Sequence, residues 1–208
     1  MRVDDYKEAC RLAAASLMDK NPDEVARFAG AERTPEGFRL SFLGRPVVVR
    51  ASDMAVSWEN QKPDETFSLT DTVLILHYLQ GAGGQLPTGN MVAYRQITGG
   101  EFYQDAFHRR AEIPLAQTFG QTPGLLTKAV ALMGGTLVPD FGDESGKFTV
   151  LPHIDLITLV YLGDEEFESS GKVLFDAVIS AYLSLEDAAW LGSALVYRLM
   201  GAARTLQN

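Results

Sequence analysis

The sequence predicts a single-domain α+β fold, with a mixed or mainly antiparallel sheet packed against several helices. Three observations carry this. Apolar residues recur at steps of three and four over residues 4–19, as in helices with one buried face. The period drops to two at Gly37, where Phe38, Leu40 and Phe42 alternate with Arg39 and Ser41, a half-buried strand. Further on, residues 154–162 (IDLITLVYL) are nearly all apolar and β-branched or aromatic, as a central strand buried on both faces should be.

The elements follow in order. Tyr6, Ala9, Cys10, Ala13, Leu17 and Met18 form one face of the first helix. Asn21-Pro22-Asp23-Glu24 starts a second: Asn21 can cap, Pro22 suits the first helical position, and the acids favour the positive end of the helix dipole. That helix ends near Gly30. The strand from Gly37 turns at Gly44 and returns over Val47–Arg50, with a third short strand near Met54–Trp58. Ser68 and Asp71 form a capping box for a helix that stops at the glycines of residues 81–84.

Residues 91–97 then read as a strand and residues 101–135 as helical pieces. Strands follow at 148–150 and 154–162. Phe175, Val178, Ile179, Tyr182 and Leu183 fall at helical spacing, with Ser169 or Ser170 as the cap. Ser184 and Asp187 open a last helix, apolar on nearly all sides, to about Ala203. One sheet, built from the 37–58 hairpin and the later strands, is expected.

At 208 residues and 46% hydrophobic composition the chain can bury a full core without staples. It reads as one domain over residues 1–208, with a helical segment over 1–30 and an α+β core over 31–208. Eighteen basic residues stand against 27 acidic ones, a net charge of −9, and no basic run exceeds Arg109-Arg110. Neutralising phosphates takes clustered Lys and Arg, so neither nucleic acid nor an anionic membrane surface is expected as a partner. The single cysteine, Cys10, forms no internal disulfide and holds no cluster alone. No apolar run reaches the roughly 20 residues that span a bilayer, and the acidic N-terminus lacks signal-peptide character. A soluble, cytoplasmic protein is the expectation.

Chemistry concentrates after the buried strand, at Asp164, Glu165, Glu166 and Phe167. Strand ends and the loops beyond them commonly carry functional residues. If Asp176 and Glu186 fold back there, the carboxylates would form a pocket for a hard cation or for acid–base work, with His153 the nearest histidine. The competing reading is a solvated turn. Candidate catalytic residues are therefore Asp164, Glu165, Asp176, Glu186 and His153. No complete metal-binding spacing appears, so no metal ligands are assigned. Phe167, Phe175, Tyr182 and Arg95 are the candidate ligand-binding residues, since aromatics near loops can line a pocket for a flat cofactor. The stretch GAGGQLPTG over residues 81–89 follows a helix instead of preceding one, which makes it a cap and turn instead of a phosphate cradle.

Several of these stretches coincide with a family pattern. Tyr78-Leu79, Thr88-Gly89, Tyr94-Arg95-Gln96, Gly99-Gly100-x-Phe102-Tyr103, Leu115-Ala116 and Phe119-Gly120 belong to it. So do Leu151-Pro152, Gly163-Asp164-Glu165-Glu166-Phe167, Leu174-Phe175-Asp176 and Tyr182-Leu183-x-Leu185-Glu186-Asp187. Over about residues 20–200 the chain resembles the DUF3786 family of uncharacterised bacterial and archaeal proteins. Some members look like fusions to a four-cysteine iron–sulfur domain of the kind in corrinoid iron–sulfur proteins, a domain that one cysteine cannot supply. The resemblance implies an accessory protein in anaerobic metabolism, binding a small molecule, a cofactor of unknown identity, or a redox or corrinoid protein partner. The alternative is a carboxylate-based hydrolase or transferase, with or without a metal.

Overall fold

Two antiparallel sheets, instead of one, organise residues 3–207, the part of the chain that the computed structural model describes. The α+β class holds, and each sheet belongs to a separate compact unit.

The first unit runs to Leu86 and adds residues 151–153 and 181–183. Helix α1 (Val3–Met18) and helix α2 (Pro22–Ala29) lie against α3 (Leu69–Gly81). Asn21 caps α2 through the amides of Asp23 and Glu24, and Gly30 ends it in the left-handed conformation at φ 61°. A meander of β1 (Glu32–Thr34), β2 (Gly37–Phe42), β3 (Arg45–Arg50) and β4 (Val56–Trp58) follows, in that spatial order. The alternation read from the sequence is kept: Phe38, Leu40 and Phe42 are buried while Arg39 and Ser41 are exposed. Strand β1 went unread because ERT carries no apolar period; pairing with β2 alone makes it a strand.

The second unit holds the remaining residues to Gln207, with the sheet order β5-β9-β8-β7-β6. Its strands are β5 (Met91–Ala93), β6 (Thr136–Leu137), β7 (Glu144–Leu151, whose last residue counts with the first unit), β8 (Ile154–Tyr161) and β9 (Ser170–Asp176). Strand β8 is central, and its first seven residues are buried, as a nearly continuous apolar run requires.

Strand β9 corrects the sequence reading. Residues 170–176 form no helix capped by Ser169 or Ser170. Gly171, Val173 and Phe175 alternate into the core, and Leu156 pairs with Phe175 and Tyr161 with Ser170 across the β8–β9 hairpin. The helical spacing from Phe175 onward arose because a strand ending at Asp176 runs within three residues into the short helix α7 (Ile179–Tyr182).

One helical run spans residues 104–119: α4 (Gln104–Phe107), a π-helical turn at His108–Glu112, and α5 (Ile113–Phe119). With α6 (Leu125–Leu132) and the long α8 (Leu185–Gln207) it completes the unit; α8 packs on α5, α6 and the π-turn. The predicted capping box at Ser184 is formed in both directions. The Asp187 amide donates to the Ser184 hydroxyl at 3.1 Å, and the Ser184 amide donates to the Asp187 carboxylate at 3.3 Å.

Candidate functional site

A cleft of about 550 Å³ opens in the second unit. It lies between the turn after β5, the 103–110 helical segment and the first turns of α8. That volume is in the range that holds small organic ligands. Its floor is aromatic. Tyr94, in the 3-10 turn that follows β5, stacks on Phe107 with ring centroids 4.4 Å apart, and Phe175 of β9 meets both rings at 6.1 and 5.7 Å. The Tyr94 hydroxyl donates to the Leu185 carbonyl at 3.2 Å, tying the floor to the start of α8. Burial raises the Tyr94 pKa; Arg110 acts against the shift, and Glu186 and Tyr103 add to it.

A glycine makes the floor fit. A Cβ on Gly192 of α8 would lie 2.9 Å from Phe175 Cζ and 3.2 Å from Phe107, so only a residue without a side chain lets the two rings approach the helix.

Two charged side chains line the cleft, Arg110 and Glu186. Arg110 is held by α8 at three points. Its Nε donates to the Ser193 hydroxyl at 3.0 Å, its Cζ lies 5.1 Å from the centre of the Trp190 ring, and its carbonyl accepts the Tyr197 hydroxyl at 3.2 Å. Glu186, Trp190, Ser193 and Tyr197 are spaced i, i+4, i+7 and i+11, so they share one face of α8. Ser193 is 1% exposed and its hydroxyl donates to the Ala189 carbonyl at 2.7 Å, which leaves a lone pair for Arg110.

The π-turn that carries Arg110 is anchored on its other side. Glu112, 1% exposed, accepts His108 Nδ1 at 2.8 Å, Lys172 Nζ at 3.2 Å and Gln104 Nε2 at 3.3 Å. Residues 104 and 108 share the Glu112 carboxylate with Lys172 of β9, while 103, 106, 107 and 110 line the cleft.

The sequence-predicted residues are dispersed. Asp164 accepts the amides of Glu166 and Phe167 at 2.8 and 2.7 Å, closing an exposed turn between β8 and β9. These two bonds hold its pKa below the usual carboxylate value. Glu165 and Phe167 are exposed in the same turn. Asp176 lies at the opposite end of β9. Six residue steps of roughly 3.3 Å place it ~20 Å along the strand from Ser170, so the structure does not bring Asp164 and Glu165 to Asp176. Asp176 is fully buried and accepts the Thr88 amide and hydroxyl, the Gly89 amide and the Val178 amide. Burial alone would raise its pKa; those donors together pull it below the ordinary value.

Of the remaining candidates, Glu186 lines the cleft, Phe175 lies under its floor and Arg95 is exposed beside Tyr94. His153 and Tyr182 belong to the first unit. There Tyr182 stacks on Tyr78 at 5.1 Å, the His153 amide donates to the Tyr78 hydroxyl at 3.2 Å, and that hydroxyl donates to the Ala29 carbonyl at 2.7 Å. Burial lowers the His153 pKa and raises those of Tyr78 and Tyr182.

Sequence reasoning missed Arg110, Trp190 and Ser193. The available signal was Ser193, a hydroxyl inside a helix otherwise apolar on nearly all sides, which calls for a polar partner. Among the described residues, no group of three or more His, Cys, Asp or Glu side chains is arranged to hold a metal ion, and no helix is long and apolar enough to cross a membrane.

The model of the family described as a domain of unknown function, DUF3786, covers residues 21–198. No curated protein and no solved structure matches the chain.

Proposed function

The chain belongs to the DUF3786 family, and on that footing we propose that it is a binding protein for a small organic molecule, held in the cleft between Tyr94 and α8. The observation that carries the proposal is the convergence of an aromatic floor with a pre-positioned arginine. Tyr103 offers exposed ring surface beside the buried Tyr94–Phe107 stack, and Arg110 is fixed by Ser193 and Trp190 before any ligand arrives. Preorganised polar groups at the edge of an apolar recess give orientation without an ordering cost on binding. The carboxylate enzyme has weaker support, because Asp164 and Glu165 face solvent and the Asp176 carboxylate is taken up by the amides of Thr88, Gly89 and Val178 and by the Thr88 hydroxyl.

A thermal-shift panel of amino acids, nucleotides, flavins, corrinoids, haems and divalent metals tests this. A ligand at a hundred times its Kd adds about 2.7 kcal/mol to the folded state. At ~2–4 °C per kcal/mol for a chain of this size, that raises Tm by roughly 5–10 °C. At least one organic compound should do so in the wild type and not in Arg110→Gln. If no organic compound raises Tm, or if those that do act equally on the variant, the cleft is not the site.

A further inference from the structure

We infer that the ligand of this cleft is a small zwitterion, with an anionic group that meets Arg110 and a cationic group that meets Glu186 on one apolar body. The inference rests on the binding function proposed above and adds the chemical class of the ligand.

The first ground is an opposite pair of charges left apart. Arg110 and Glu186 line the same recess, yet no N···O distance between them falls within the 4.0 Å of an ion pair. Neither has another ion-pair partner among the described residues. Elsewhere in this chain arginines beside acids do pair: Arg39 with Glu32 and Glu59, Arg45 with Glu65, Arg50 with Asp53. The two cleft charges depart from that habit.

The second ground is that Arg110 is not free to swing across. Its Nε is committed to Ser193 and its guanidinium lies over Trp190, so the two terminal nitrogens are the donors left for a ligand. Glu186 sits one turn before Trp190 on the same face of α8. Both charges lie near enough to the Tyr94 hydroxyl to act on it, with opposite sign.

The third ground is complementarity. A ligand with only an anionic group would satisfy Arg110 and bring a like charge to Glu186. One with only a cationic group would do the reverse. A neutral flat ligand would cover both charges and pair neither, at a desolvation cost. A carboxylate and an ammonium carried on one apolar body meet all the surfaces, with that body against the accessible apolar lining of Tyr103, Ala106 and Leu185. The cleft has room for an amino acid with a large apolar side chain.

The test removes one charge at a time from a single skeleton. Titration calorimetry, supported by NMR shift mapping at millimolar concentration, would compare L-phenylalanine, 3-phenylpropanoate and phenethylamine on the intact chain. Phenylalanine should bind at least about tenfold more tightly than either analogue, the worth of one charge-assisted hydrogen bond. Glu186→Gln should abolish its advantage over 3-phenylpropanoate, and Arg110→Gln its advantage over phenethylamine, with circular dichroism confirming that both variants fold.

Equal or tighter binding of 3-phenylpropanoate overturns the zwitterion while leaving a binding cleft in place. So does failure of all three probes when a compound of the wider panel binds in an Arg110-dependent way. If nothing binds at all, the binding function falls with it.

Discussion

Asp176 grips Thr88 twice, accepting its amide at 3.1 Å and its hydroxyl at 2.7 Å on the same carboxylate oxygen. The other oxygen takes the Gly89 amide at 2.6 Å, and Gly89 sits at φ +73°, a conformation that suits glycine. Two stretches that stand out in the sequence, the Gly-rich 81–89 segment and the Leu-Phe-Asp motif, are thus halves of one structural tie. The Ala177 amide adds to it by donating to the Asn90 carbonyl at 2.9 Å.

Replacing Asp176 with Asn should therefore destabilise the fold by about 2 kcal/mol. The charge-assisted bonds are lost, and the new amide group presents donors to donors. The cost should depend on pH. The folded carboxyl has a pKa below that of the unfolded chain, near 3.9. Its contribution is fully present above that unfolded value and is lost as pH falls through the lower folded value. Urea denaturation of both proteins should give a constant gap at neutral pH that closes below about pH 4. A gap unchanged down to pH 2 would mean that the charge of Asp176 does not contribute.

What the sequence made legible follows from how local each signal is. Caps were readable because donor and acceptor lie within three residues: Asn21 with Asp23 and Glu24, Ser68 with Asp71, Ser184 with Asp187. The central strand was readable because burial on both faces leaves an unbroken apolar run. Strand β9 was not, since Val173-Leu174-Phe175 suits helix and strand alike and its pairing with β8 and β5 decides. The cleft was least legible. Its parts come from residues 94, 103–110 and 184–189, which only the tertiary fold joins, whereas the acidic turn that drew notice is explained by its own backbone.

Truncation of the buried Glu112 should also destabilise the fold. Removing it leaves Lys172 and His108 without their carboxylate and frees the π-turn. Loss of a buried pair member costs ~3–5 kcal/mol where both partners are enclosed. Here the side chains of Lys172 and His108 are 43% and 45% exposed, so water takes up part of the loss. Glu112→Ala should cost about 1–3 kcal/mol in chemical denaturation. It should also weaken any Arg110-dependent ligand, because the turn that aims Arg110 is loosened. A loss of stability with affinity unchanged would show that the two faces of the turn are independent.

The turn between β8 and β9 should be dispensable for binding. Asp164 serves the amides of its own turn, and Glu165 is exposed. Asp164→Asn and Glu165→Gln should leave ligand affinity unchanged within error in the same calorimetric titrations. An Asp164→Asn protein that folds normally but loses affinity would return the acidic turn to the site and favour the carboxylate reading.

Two glycines of α8 offer a comparison in which opposing effects can be weighed. Any helical Gly→Ala change gains up to ~1 kcal/mol from backbone entropy. At Gly201 a Cβ meets nothing within 4 Å, so that gain should appear as added stability. At Gly192 the Cβ would press on Phe175 Cζ at 2.9 Å and on Phe107 at 3.2 Å, two ring side chains with almost no exposure. Overpacking of a closed core costs about 1–3 kcal/mol, which exceeds the helical gain. Gly192→Ala should therefore be less stable than wild type and Gly201→Ala more stable, as read from denaturation midpoints. Because Phe107 and Phe175 support Tyr94, Gly192→Ala should also shift the Tyr94 ring resonances in NMR spectra, and Gly201→Ala should not. If both variants gained stability, the rings would have room to give way, and the floor of the cleft would be softer than its close contacts indicate.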